Sequence, residues 1–373
     1  MSFDVPFIRP QFPAAKELSA DFSEIVEANW YTNFGPKERA FSAALAAKMG
    51  DGYHVVTFAN ATIALLAALQ VKLGRGDGHR RVLVPSFTFA AGPQAIEWCG
   101  YVPLFVDIDA ATLQPSLHDA RKVLSEPGQD IAAILLCNTF GIGNGSIAEW
   151  EDLADEAGVP LIIDSAAGFG STYPDGSPVG TAGTCEVLSF HATKPFAIGE
   201  GGAIVTRDLE LATALTEFTN FGFHAAQGAT ALGLNGKLHE FGAAIGLRQL
   251  VGFSESIAAR QSVVARYMSS LPATFIFPER IEESSVCFAT MLLPDRETRD
   301  AAKERLLARS VEARTYYSPP VHAQPHFAGA QSVAGLDVTM EVVGRVLSVP
   351  VYARMAEHEI HLIIDTLAQG GDA

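Results

Sequence analysis

Short apolar, β-branched runs alternate with helix-like segments through the first two thirds of this chain, and that alternation constrains the fold more than any other feature. Residues 54–58, 82–84, 102–107, 131–137, 160–164, 185–191 and 202–206 read as strands, with helices at 62–73, 91–98, 147–157 and 209–218. Parallel strands cannot be joined by a tight turn and need a crossover, usually a helix. Strand–helix–strand spacing therefore predicts an α/β fold with a largely parallel sheet covered on both faces. Ligands of such sheets bind beyond the carboxyl ends of the strands, so residues there carry the most functional weight.

A nearly proline-free helical stretch at 237–270 follows, and Pro272 and Pro278 then punctuate the chain. A strand at 286–293, a helix at 296–308, a Tyr/Pro-rich loop at 316–320 and a helix at 357–367 complete it. Length alone admits two or three domains at roughly 150 residues each. The pattern predicts a large domain over 1–248, whose first 35 residues form an arm, and a small α/β domain over 249–373.

With 48% hydrophobic and 18% charged residues the chain can bury a large core. Lys plus Arg number 26 against 42 Asp plus Glu, a net charge of −16. That balance argues against a nucleic-acid or anionic-membrane partner held by bulk electrostatics. A polyanionic small molecule in a local pocket remains compatible with it. Cys99, Cys137, Cys185 and Cys287 share no CxxC spacing and read as reduced core thiols rather than a metal site or a disulfide frame. The amino terminus shows no basic segment leading into an apolar one. The longest nearly apolar window, 63–69, falls far short of the ~20 residues of a spanning helix. The expectation is a soluble, cytoplasmic protein with no membrane partner and no metal.

Four strand ends carry candidate chemistry. Lys194 follows the strand at 185–191 among apolar residues and precedes Gly199-Glu200-Gly201-Gly202. Desolvation there would lower the amine's pKa and make it a nucleophile toward carbonyls, although a surface loop lysine has the same local sequence. Asp164 ends Leu161-Ile162-Ile163, where a carboxylate can pair with a ligand cation or cap the next helix. Ala59-Asn60-Ala61-Thr62 opens a helix whose free N–H groups suit an anion. The Asn60-Ala61-Thr62 and Asn144-Gly145-Ser146 sequons are chance matches without a secretory signal. Phe89, in Pro85-Ser86-Phe87-Thr88-Phe89, is either a ring-stacking aromatic or core. Anion site, stacking ring, ring-cation carboxylate and activated lysine are together the groups that a pyridoxal phosphate enzyme needs.

On this order of motifs the chain resembles the DegT/DnrJ/EryC1/StrS family of pyridoxal-phosphate-dependent nucleotide-sugar aminotransferases. The likeness begins at Tyr31-Thr32-Asn33-Phe34-Gly35-Pro36 and continues through NATIAL (60–65), VPSFTFAA (84–91) and VPLFVDID (102–109). Its strongest parts are IIDSAAGFGSTY (162–173) and LSFHATKPFAIGEGGAIVT (188–206). GLNGKLHEFGAAIGLRQL (233–250) and ARTYYSPPVH (313–322) complete it.

The resemblance implies an aspartate-aminotransferase-like, fold type I architecture. It implies that Lys194 holds the cofactor covalently and later moves a proton, while Asp164 pairs with the ring nitrogen and Phe89 covers the ring. Ala61 (through its N–H), Thr62 and Ser189 would contact the phosphate. Asn235 would reach the phosphate of a neighbouring subunit's cofactor, making a homodimer with shared sites. Lys237, Tyr317 and His322 fall on the substrate side. The implied substrate is a nucleotide-linked keto sugar, preferably a 4-keto-6-deoxy hexose, with L-glutamate as amino donor and a role in polysaccharide amino-sugar synthesis. A 3-keto sugar, a dehydration, or a regulatory protein without turnover are the alternatives. Two departures stand out. The family commonly has Gln where this chain has Ala167, and Gly where it has Ala61. Members that remove a hydroxyl have histidine at the place of Lys194, so the lysine favours transamination.

Overall fold

The computed structural model describes residues 3–126, 128–333 and 335–369 of the chain; the outermost residues of both expected domains, 1–2 and 370–373, lie outside them. The strands are β1 (His54–Phe58), β2 (Arg81–Pro85), β3 (Val102–Val106), β4 (Ile131–Cys137), β5 (Leu161–Asp164), β6 (Cys185–Ser189), β7 (Gly202–Thr206), β8 (Ala289–Leu292), β9 (Gln331–Ser332) and β10 (Val346–Val349). The helices are α1 (Ala15–Ala28), α2 (Pro36–Met49), α3 (Ala61–Leu73), α4 (Ala91–Trp98), α5 (Leu117–Ser125), α6 (Ile147–Ala157), α7 (Leu209–Thr219), α8 (Glu240–Val251), α9 (Phe253–Ser270), α10 (Arg296–Ala308), α11 (Asp337–Arg345) and α12 (Glu357–Ala368).

Eight strands share one sheet in the order β1-β7-β6-β5-β4-β2-β3-β9. The pairings from β6 across to β9 are parallel, whereas β7 runs antiparallel to both β6 and β1. The sheet is thus mostly parallel, with one reversed strand. Alternate side chains serve opposite faces. Val82, Val84, Leu135 and Ile162 pack against Leu65, Leu69, Ile96 and Leu215 of α3, α4 and α7. Leu83, Ile134, Leu136 and Ile163 pack instead against Val123, Trp150 and Leu153 of α5 and α6. Each such side chain contributes roughly 1.5–3 kcal/mol on burial. A one-residue slip would exchange the faces, so the register, and with it every strand end, is strongly specified.

The C-terminal part pairs β8 with β10 and packs α9 to α12 around them, while its β9 extends the main sheet beside β3. Phe87 and Phe140 from the sheet's strand ends join that core, as do Val5 and Phe7 of the N-terminal segment. The helical stretch expected at 237–270 is two helices, broken at Gly252. Residue 248, the expected end of the large domain, lies in the last turn of α8. The N-terminal arm contains α1, whose Phe22 packs edge-on to Phe241 of α8 at 4.9 Å. Among the described residues no helix is long and apolar enough to cross a membrane. All four cysteines are free and buried.

Candidate active site

The carboxyl ends of β4, β5 and β6 and the start of α3 converge on a cavity of about 630 Å3. Ala61, Thr62, Phe89, Asp164, Ser189, Lys194 and Tyr317 all line it, although the sequence separates them by up to 256 residues (317 − 61).

The turn after β6 sets Lys194. His191 and Gly199 form a bridge, Ala192 N–H donates to Gly199 O (2.8 Å), and Lys194 N–H donates to His191 O (2.9 Å). Beside it the His191 ring contacts the Thr193 hydroxyl (2.8 Å) and lies 3.5 Å from Glu200. Asp164 is 8% exposed, and its Oδ1 accepts the N–H of Ala166 at 3.0 Å. Burial raises the pKa of Asp164, and the Ala166 N–H and the Lys194 charge pull it down. A buried carboxylate with one neutral donor, facing a cavity, is short of a cationic partner.

Asn60 caps α3 by accepting the Ile63 N–H (2.9 Å). The first-turn N–H groups of Ala61 and Thr62, which no helix can satisfy internally, therefore open on the cavity. Gly202 is packed so tightly here that a Cβ would lie 2.7 Å from Ala61 N. Phe89 is 64% exposed at the mouth, so it is not a core residue. Tyr317 stacks on Phe140 at 5.5 Å and 10°, and burial holds its hydroxyl pKa well above the usual range. The cavity is also lined by Cys137, whose thiol burial pushes up to about 12, so it stays protonated at neutral pH.

Three expected residues stand apart from the cavity lining. Asn235 is exposed. Lys237 donates to Asn220 Oδ1 (3.0 Å), sits 5.1 Å from the Phe221 ring centre, and has its pKa lowered by burial. His322 is half-buried and bonded through Nδ1 to the Ser86 hydroxyl, tying the 313–322 loop to the end of β2. Sequence reasoning missed Ile8, Asn138, Phe140, His191, Glu200, Cys287, Phe288 and Tyr316, all of which line the cavity. Asn138, directly after β4, and His191, at the end of the strand read over 185–191, had a signal in their place; Ile8, Cys287 and Phe288 arrive by tertiary packing and had none. The methyl of Ala167, where a glutamine was the family's habit, lies on the cavity wall.

The model of the DegT/DnrJ/EryC1/StrS aminotransferase family matches residues 14–368. The chain is 47% identical over 364 residues to protein Rv3402c of Mycobacterium tuberculosis strain H37Rv, covering 96% of this chain and 88% of that one. It is 30% identical over 374 residues to the dTDP-4-amino-4,6-dideoxy-D-glucose transaminase of Escherichia coli, covering 98% of each. The crystal structure of DesI, determined in the presence of its TDP-sugar product, superposes with a TM-score of 0.88 at 31% identity, covering 99% of this chain and 93% of that one.

Proposed function

The chain belongs to the DegT/DnrJ/EryC1/StrS aminotransferase family, whose members are pyridoxal-phosphate-dependent sugar aminotransferases of fold type I; on that premise we propose that it transfers an amine to a 4-keto-6-deoxy sugar carried by a nucleoside diphosphate, with L-glutamate as donor. Pyridoxal phosphate supplies an electron sink that lets an amine and a carbonyl be exchanged. The residues present fit it. Asp164 offers the ring nitrogen a buried carboxylate that keeps a proton there. The α3 N–H groups of Ala61 and Thr62, with the hydroxyls of Thr62 and Ser189, offer an anion cradle for its phosphate. Phe89, at the cavity mouth, would cover one face of the ring. Lys194 would anchor the group through Nζ, and once an incoming amine displaces that bond the freed Nζ would take a proton from the substrate carbon and return it.

The observation that carries this reading is the meeting of Lys194 and Asp164 in one cavity. Lys194 is also the only lysine or arginine among the described lining residues, so the diphosphate's cations come from elsewhere. Lys237, offered with Asn235 by a second copy of the chain, suits that task. Ile8, Phe140, Phe288 and Tyr316 give the cavity an apolar side that matches a deoxygenated carbon rather than a sugar carboxylate. The E. coli relative and the TDP-sugar of DesI support the same substrate class.

The test is a panel of nucleotide-linked 3-keto and 4-keto sugars, incubated with cofactor-loaded protein and glutamate and read by mass spectrometry. Conversion of a 4-keto-6-deoxy sugar to its amine is expected. Amination of 3-keto sugars alone overturns the C4 preference, and no amine from any member overturns the proposal.

A further inference from the structure

Behind the cavity floor lies a carboxylate for which transamination has no use. Glu186, the second residue of β6, is fully buried, and its bonding partners are all neutral donors. Its Oε1 accepts from the Ser165 hydroxyl, the Tyr173 hydroxyl (2.9 Å) and Asn138 Nδ2 (3.2 Å). Its Oε2 accepts from the N–H groups of Gly180 (2.7 Å) and Ala182 (3.2 Å). Burial pushes the carboxyl up to about 7, while five donors directed at its two oxygens favour the anion.

The cluster leads back to the cavity through Asn138. Asn138 Nδ2 also lies 2.8 Å from the Ser165 hydroxyl and 2.9 Å from that of Tyr173, so its two hydrogens are shared among these oxygens and Glu186 Oε1. At the other end of the amide, Asn138 Oδ1 accepts the Asn144 N–H (3.0 Å). The side chain is thus clamped at both ends. Its backbone N–H donates to Asp164 O (3.0 Å), joining the ends of β4 and β5. Two residues on, Phe140 adopts a left-handed conformation (φ 60°, ψ 11°) and turns its ring into the cavity. Such a conformation persists only where its surroundings over-determine it. Gly141 follows at φ +83°, where a Cβ would lie 2.2 Å from Ala167 O.

We propose that Glu186 is a positioning residue for the cofactor cavity: held by four other donors, it fixes Asn138, and through Asn138 the Phe140 turn and the Asp164 strand end. The inference rests on pyridoxal phosphate binding in this cavity, and titration of the wild-type protein tests that separately.

Glu186→Gln keeps the shape and spoils the matching. Its NH2 either meets the Gly180 and Ala182 N–H groups, which cannot accept, or replaces Oε1 and leaves the Ser165 and Tyr173 hydroxyls and the Asn138 NH2 with more hydrogens than acceptors. Adding Asn138→Asp restores an acceptor opposite the new amide while still receiving the Asn144 N–H. One unmatched buried donor is enough for a tenfold effect. The full-length protein, freed of cofactor, is titrated with pyridoxal phosphate at pH 8 by absorbance, with thermal melting of each apoprotein alongside. Glu186→Gln is expected to raise the Kd for pyridoxal phosphate about tenfold, and the double variant to recover most of that loss. A Kd for Glu186→Gln within twofold of wild type, or a double variant that binds no better than the single, overturns the proposal. Should Glu186→Gln not fold, Ser165→Ala and Tyr173→Phe each remove one donor. A two- to threefold weaker Kd in both is expected, and wild-type affinity in both overturns it.

Discussion

The floor of the cavity and the segment from Asn220 to His239 use polar groups in opposite ways. Behind the floor, Asn138, Ser165, Tyr173 and Glu186 are bonded to one another inside one chain. The 220–239 segment reaches the start of α3, where Ala59 N–H donates to Gly236 O (2.7 Å). Yet it leaves Phe221, Phe223 and Leu232 47%, 47% and 60% exposed and Asn235 in solvent. Apolar groups so exposed mark a surface that gains from being covered. In the proposed dimer one chain offers the cavity for the cofactor ring and the α3 cradle for its phosphate, and the partner adds Asn235 and Lys237 toward phosphate and diphosphate.

The largest effects belong to the floor. Lys194→Ala should lower turnover by at least about 10³-fold, because the same amine both carries the cofactor and moves the proton. Its melting temperature should stay near that of the wild type, since the side chain faces a cavity. Turnover close to wild type without added amine would contradict the role. Asp164→Asn keeps the shape and removes the charge. Losing a charge-assisted hydrogen bond of about 2–3 kcal/mol should lower kcat/KM about 10²-fold, read from steady-state amine formation.

Asn235→Ala tests the other side of the contrast. Alone it should weaken cofactor affinity about tenfold. Mixed and re-associated with Lys194→Ala, it should recover activity, because one of the two sites in the mixed dimer then holds both an intact lysine and an intact asparagine. No recovery on mixing would place Asn235 within its own chain's site or outside any site. The smallest effect is expected for Lys237→Ala, about a three- to tenfold rise in KM for the nucleotide sugar with kcat little changed. A lysine meets a diphosphate as a point charge, so the rise should shrink as salt increases. An unchanged KM would remove the diphosphate contact.

What the sequence made legible follows the same division. Strands buried on both faces announce themselves as apolar runs, and their carboxyl ends named Lys194 and Asp164 before any tertiary contact was known. Strand direction is not written in such a run. Gly202 to Thr206 reads the same way in either sense, and the reversal of β7 becomes visible only in its pairing with β6. Helix α1 lies in the first 35 residues, expected as an arm, and α2 follows directly at Pro36–Met49, where no helix was assigned. Glu186 was hidden for a different reason, since one acid in an apolar run reads as an interruption until its five donors are seen. Tyr316, Phe288 and Ile8 reach the cavity from remote parts of the chain by packing, which local periodicity does not encode. Asn235 and Lys237 cannot be completed in one chain if their work is done in another.

The most direct measurement is to reduce the cofactor-loaded protein with borohydride, digest it and locate the pyridoxyl mass by peptide mass spectrometry. A yellow protein that bleaches on reduction, with the added mass on Lys194 and on no other lysine, is the expected result. A colourless protein after loading, or the mass on a different lysine, would contradict the assignment of this cavity as the site of amine transfer.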